Sequence, residues 1–343
     1  AYVGEEALVG ENGVYTLNNG VTNVIFKGDP VAYVSSDGKV TVNGAERTAY
    51  TTLAAAMNAL GYEGGTIYFT GTQTFTDAAD NRAKVTIIGL DESAALDNNA
   101  ILPEKGDLEL QNLTMSTTAP GYTYTSGHVL TFGEGITSVS PIKYAHEVRG
   151  ATGIGNKINF YSGNFGAGSA AAGYWNAHTV NGDVVYNYYG GDFDTVNAIS
   201  RESYNEAQRS AVNGDIYLNV YGGNMGSIYP SFYMGYLGKS LFLTVNGGTF
   251  GNYRRQSNLS FGSEGAFTVG SNRNLEVAGD YVFLFNNDAI KDAGGSLAHA
   301  NIGVTQNVDA EVHGRKIIVS NNHELASDIG LDLSQNTADV VLT

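Results

Sequence analysis

A chain of 343 residues with net charge −16 and 18 basic residues, none densely clustered, excludes phosphate-backbone recognition, so no nucleic-acid partner is expected. The absence of cysteine excludes disulfides, thiolate catalysis and cysteine-type zinc sites together, and no apolar run approaches the ~20 residues needed for membrane insertion. Hydrophobic residues at 42%, with 45 glycines, 22 tyrosines and only 5 prolines, describe a chain that can bury a core and consists of many short strands joined by tight turns.

In chain order, the opening "AYVGEEALVG" carries no basic, apolar leader, as in a secreted protein whose signal peptide has been removed or in a cytosolic one. Residues 1–44 hold strand-like pieces, "GVYTLNNG", "VTNVIFKG" and "VAYVSSDGKVTVNG", the last with an Asp-Gly turn. They read as a small N-terminal β-segment, an arm available for assembly. A helix is predicted over 51–60 in "TAYTTLAAAMNALG", where Leu53, Met57 and Leu60 share one face. Thr51 or Thr52 serves as its N-cap and Gly61 as its stop. Strands follow in "GGTIYFTGTQTF" (64–75), "KVTIIGL" (84–90), "LELQNLTM" (108–115) and "VLTFGEG" (129–135).

From residue 156 the strands acquire a recurring ending. "NKINFYSGNFG" (156–166), "GDVVYNYYGGDF" (182–193), "GDIYLNVYGGNMG" (214–226) and "KSLFLTVNGGTFG" (239–251) align on Gly163, Gly191, Gly223 and Gly248, which are 28, 32 and 25 residues apart. Each unit is an alternating strand, a glycine or asparagine corner, and one residue returning to the core: Phe165, Phe193, Met225 or Phe250. In 216–221, Ile216, Leu218 and Val220 face inward while Tyr217, Asn219 and Tyr221 face outward. The period is too short for a propeller blade, and the leucine–asparagine ladder of a leucine-rich repeat is missing. The expected fold is therefore all-β: a right-handed parallel β-helix over residues 45–343, its clearest repeats at 156–285, with the helix at 51–60 capping the first coil. The closing "ASDIGLDLSQNTADVVLT" shows no capping helix and ends on an apolar strand, so the expectation is either that the chain continues in a precursor or that the last coil is covered by something else, such as a second copy of the protein.

"TAYTTLAAAMNALGYEGGTIYFTG", followed by "KVTIIG" and "GDLELQNLTM", resembles the start of pectate-lyase-like right-handed β-helix proteins. Later copies of "VNGGTFG" resemble secreted and surface repeat proteins of anaerobic bacteria. The resemblance spans about residues 45–285. It implies the fold and an extracellular or cell-surface setting, and it implies no particular activity.

Candidate chemistry is sparse. "GGDFDTVN" sets Asp192 and Asp194 at a D-x-D spacing that offers oxygens to a calcium ion, the one cofactor considered. The matching positions in neighbouring coils are Asn164/Gly166, Asn224/Gly226 and Thr249/Gly251, so a polar corner is the plainer reading. Asp91, Glu92 and Asp97 form a further acidic group. Glu202 and Glu206 provide the carboxylate pair a glycosidase would need, in what otherwise reads as a solvated helix. The six histidines form no metal-ligand spacing. The Arg-x-x-Pro-x-x-Arg pattern of the lyases is missing. Aromatic loops follow the corners: Tyr174 and Trp175; Tyr204; Tyr229, Phe232, Tyr233 and Tyr236; and Tyr253 beside Arg254. These are candidates for stacking on sugar rings or for a protein interface. With no coherent catalytic set, the expected function is a non-enzymatic extracellular structural protein that assembles head-to-tail with itself. The alternative is a polysaccharide-binding adhesin or a polysaccharide lyase or hydrolase.

Overall fold

In every clear repeat the apolar residues recur at every second position, and this pattern builds one long parallel sheet. Its twelve strands are Val31–Val34, Gly64–Phe69, Lys84–Gly89, Asp107–Gln111, Val129–Phe132, Asn156–Phe160, Val184–Tyr188, Ile216–Val220, Leu241–Val245, Tyr281–Phe285, Lys316–Asn321 and Asp339–Leu342. They stack in strict chain order, each parallel to the next. Parallel neighbours need a crossover, and here each crossover is a full coil. The fold is an all-β parallel β-helix. The computed structural model describes residues 2–3, 6–7, 30–76, 83–98, 100–101, 105–116, 122–123, 127–139, 142, 156–169, 179–197, 210–231 and 235–250, and the strand segments 268–271, 275–277, 281–285, 301–303, 316–321, 330–332 and 339–342.

Two further faces complete the coils. After the corner, short strands form a second face: Thr72–Gln73, Ala95–Leu96, Thr114–Met115 and Thr137–Ser138 in the early coils, then Asn164–Ser169, Asp192–Asn197, Asn224–Ser231 and their successors. A third face is a four-stranded sheet of Thr179–Val180, Ser210–Val212, Gly235–Leu237 and Leu275–Val277.

The interior follows the predicted alternation. Ile216, Leu218 and Val220 are buried, as are Leu241, Leu243 and Val245 one rung later, while Tyr217 and Asn219 face outward. In the rung Val184–Tyr188 the inward positions hold Tyr186 and Tyr188, both fully buried, so the core is not aliphatic throughout. The parity is set by the corner. Tyr188 lies three residues before Gly191, as Phe160 lies before Gly163 and Val220 before Gly223.

In-register stacking puts like rings on one another. Phe132, Phe160 and Tyr188 form a face-to-face column with centroids 5.6 and 5.1 Å apart. The returning residues Phe165 and Phe193 form a second column at 4.8 Å. The two columns meet edge to face, as in Phe160–Phe165 at 4.9 Å and Tyr188–Phe193 at 4.9 Å. Each such pair is worth about 0.5–1.5 kcal/mol beyond its burial.

The helix spans Leu53–Leu60. The Thr52 hydroxyl caps it by accepting from Ala55 N, and it stops at Gly61, whose φ is 68°. Leu53, Ala56, Met57 and Leu60 are buried against the first two rungs. Val31–Val34 differs from the expectation. Sequence placed it in a separate segment before residue 45, but it pairs in register with Gly64–Phe69 as the first rung. The hairpin Lys39–Val42/Ala45–Thr48 and the helix lie between these two strands in the chain, which hides the repeat from a period search.

The glycine pair has two separate requirements. Gly222 passes so close to the coil before it that a Cβ would lie 2.3 Å from the Tyr189 carbonyl oxygen. Gly223 turns the chain with φ 87°, and a Cβ there would lie 2.7 Å from the Gly191 oxygen. Gly223→Val is therefore expected to cost about 2–4 kcal/mol, read by urea or thermal unfolding. An unchanged midpoint would show that the corner is wrongly assigned.

Burial, with Tyr186 alongside, pushes the Tyr188 hydroxyl well above the usual tyrosine value. The folded chain then holds this proton while the unfolded chain releases it above about pH 10. Stability is full below that pH and falls by about 1.4 kcal/mol per pH unit above it. Tyr188→Phe is expected to flatten this alkaline limb by the equivalent of one proton, measured by urea unfolding between pH 9 and about 11.

Candidate functional site

The corner that turns each coil from the long sheet to the second face carries the most organised surface among the described residues. Two positions before Gly163, Gly191 and Gly223, Tyr161, Tyr189 and Tyr221 point outward and stack, with centroids 4.6 and 5.0 Å apart and ring planes within 15°. They remain 39%, 40% and 43% exposed. Two rings facing each other at this distance leave no room for a third between them. The column therefore offers its edges and hydroxyls to solvent. Among the described residues no ring stacks on the other face of Tyr161, whose counterpart in the preceding coil is Gly133. Burial, together with Tyr161 and Tyr221 on either side, raises the Tyr189 hydroxyl above its ordinary value.

One position after the pair, Asn164, Asp192 and Asn224 are register partners and lie on the outer face, since Phe165, Phe193 and Met225 turn inward. Asn224 Nδ2 donates to Asp192 Oδ1. Tyr161, this polar row and the corner glycines line an open groove of about 450 Å³ that runs over successive coils and reaches Ser138 at its end. That volume lies within the range of small-ligand sites. Ser138 Oγ is buried with no hydrogen-bond partner among the described residues.

The outer side of the long sheet is also built of ladders. Asn187 Nδ2 donates to Asn159 Oδ1 at 2.8 Å, Asn219 Nδ2 donates to Asn187 Oδ1 at 3.0 Å, and Asn159 Nδ2 donates to Thr131 Oγ1 at 3.1 Å. Before the strands, aspartates accept backbone N–H groups from the next coil. Asp107 accepts from Val129, Asp183 from Asp215, and Asp215 from Ser240, each at 2.8 Å. Lys239 lies 3.7 Å from Asp183 and 3.8 Å from Asp215, which offsets their mutual repulsion.

Of the residues singled out from sequence, Asp192 lies in the groove. Tyr236 lies on the third face, in Gly235–Leu237, away from the corner. Tyr229 and Asp194 occupy strands, Asn224–Ser231 and Asp192–Asn197, whose side chains at these positions are not among those described. Tyr174, Trp175, Tyr204, Phe232, Tyr233, Tyr253, Arg254, Glu202 and Glu206 lie outside the described residues. Asp91 closes a turn by accepting from Ser93 N at 2.9 Å. Among the described residues no group of three or more histidines and carboxylates is placed to hold a metal. Sequence reasoning missed Tyr161 and Tyr189, and left Tyr221 as an outward residue without a role. Aligning "FYSG", "YYGG" and "VYGG" one position before the corner would have found the column.

Comparison with protein families, curated proteins and solved structures yields no match to this chain.

The column makes a direct prediction. Tyr189 has a stacked ring on each side and Tyr221 has one such partner in the column, so Tyr189→Ala is expected to cost more than Tyr221→Ala, by about 0.5–1.5 kcal/mol. Equal losses in chemical unfolding would mean that the stacking carries no stability.

Proposed function

We propose that this chain is a non-catalytic extracellular structural protein, a β-helical rod that joins copies of itself end to end in a filament or surface array. The observation supporting it most directly is the use of the outward side chains. Tyr161, Tyr189 and Tyr221, the row Asn159, Asn187 and Asn219, and Asp183 and Asp215 all bond or stack along the axis with the neighbouring coil. Such contacts stiffen a stack and leave its ends as the places where another copy adds. Twelve rungs at about 4.8 Å give a rod about 50 Å long.

The two ends are unlike. At the first rung the helix Leu53–Leu60 packs on Val31–Val34, and Tyr50 pairs with Val34. Asp339–Leu342 pairs with Lys316–Asn321. Exposed strand edges accept strands from other chains, and a head-to-tail contact that does not close produces a filament. The arm within residues 1–30 of the next copy is the proposed donor. Net charge −16 opposes the approach of two copies, and salt relieves that opposition. A polysaccharide-binding adhesin remains the second reading, and it draws on a different observation, the corner groove.

Negative-stain images and sedimentation of the whole chain, with and without residues 1–30, at low salt and about 0.5 M salt, test the first reading. Filaments that lengthen with salt and vanish in the deletion are expected. Monodisperse monomers of the whole chain at both salt concentrations would overturn it.

A further inference from the structure

We propose that the corner groove binds an extended, uncharged glycan along the solenoid axis, with Asn164, Asp192 and Asn224 as its hydrogen-bonding row. This does not depend on self-assembly, because the groove lies on the side of the rod.

Periodicity selects the ligand. Asn164, Asp192 and Asn224 repeat once per coil, at the ~4.8 Å strand spacing. An extended peptide rises about 3.3 Å per residue and presents like-facing groups every ~6.6 Å, so it falls out of step with the row after one coil. A peptide also gains affinity by pairing with a free strand edge. Here the edge is taken, since Asp192 N donates to Gly163 O at 2.9 Å and Asn224 N donates to Gly191 O at 2.8 Å. An extended glycan advances by about one ring per coil and carries hydroxyls along its whole length. Amide and carboxylate groups in a row donate to and accept from those hydroxyls without any strand edge.

Charge narrows the class further. Asp192 lies in the middle of the row, and among the described residues no lysine, arginine or histidine lines the groove. The chain as a whole carries −16. A polyuronate would place its own carboxylates against Asp192 in every binding register, so acidic polysaccharides are disfavoured. A second copy of the protein shares the 4.8 Å repeat but brings the same negative charge. A neutral glycan meets neither obstacle. The chain of rings lies over the glycine corners, where missing side chains open the floor. One end reaches Tyr161, which offers its ring edge and hydroxyl to the sugar hydroxyls. Ser138 Oγ, unpartnered among the described residues, is at the same end.

The test is calorimetric titration of the whole chain with neutral hexasaccharides of glucose, mannose and xylose, beside hexagalacturonate. At least one neutral hexamer is expected to bind with a dissociation constant at or below about 1 mM, and hexagalacturonate at least tenfold more weakly. Asn164→Ala and Asn224→Ala should each weaken the neutral ligand about tenfold. Asp192→Asn introduces the residue already present in the coils on either side, so it folds, and it should raise hexagalacturonate binding severalfold. Tyr217→Ala, on the outer side of the long sheet, should leave all titrations unchanged. Failure of every neutral hexamer to bind, preference for hexagalacturonate, or affinities unchanged in both asparagine variants with native melting behaviour would each overturn the proposal.

Discussion

The rest of the structure depends on one distance, the spacing of about 4.8 Å at which each coil must meet the next. It holds at the flat rungs without special residues, because parallel backbones settle there by hydrogen bonding. It is hardest to hold at the corner, where the chain changes direction and still has to keep contact. There the backbone of one coil touches the carbonyl of the last, leaving no space for a Cβ at Gly190, Gly222 or Gly247. Their successors Gly191, Gly223 and Gly248 take positive φ. Two constraints thus act on adjacent residues, one on volume and one on torsion, and glycine satisfies both.

Once the spacing is held, side chains have no choice of neighbour. A residue on one rung lies over its counterpart on the next, so the stack rewards like over like: phenylalanine on phenylalanine inside, asparagine on asparagine and tyrosine on tyrosine outside. The same rule penalises like charges, and the structure handles them by position. Asp183 and Asp215 are successive in the stack, yet each points an oxygen at a backbone N–H of the following coil, and Lys239 sits near both. Hydrogen bonds to charged groups are worth about 1.5–3 kcal/mol, enough to outweigh a screened repulsion between partly exposed carboxylates.

Sequence revealed what is local. The alternation in 216–220, the corner glycines, the returning Phe165, Phe193 and Met225, and the helix with its Thr52 cap all come from a few adjacent residues with distinctive physics. Three features were hidden, for three reasons. Val31–Val34 joins the sheet across an intervening hairpin and helix, so its pairing is long-range and no period marks it. The strands of the third face are two or three residues long, too short for alternation to be seen. Tyr186 and Tyr188 look like surface residues by type, and their inward placement follows only when positions are counted back from Gly191. In this chain the corner is a better ruler than hydropathy. The tyrosine column was readable by the same count, and attention to the loops beyond the corners missed it.

The corner also joins stability to function. Outward side chains bond along the stack on the flat rungs, as Asn187 does with Asn159 and Asn219, and also at the corner, where Asn224 donates to Asp192; what distinguishes the corner is the groove beside that row. A loop is a poor place for a periodic site, because loops differ from coil to coil. At the corner the pairs Gly190–Gly191, Gly222–Gly223 and Gly247–Gly248 leave two successive positions without side chains, and Ser162–Gly163 leaves one. Beside them runs a trough, flanked in three successive coils by tyrosine before the turn and by asparagine or aspartate after it. The trough is a geometric consequence of stacking. Its two walls are not, since closing the corner requires neither tyrosine nor asparagine, as Asn246 and Thr249 at the equivalent positions of the next coil demonstrate. The residues that vary around an invariant turn are therefore where a function can be written without loss of the fold, and in the coils from Asn156 to Val220 they form one continuous polar and aromatic surface.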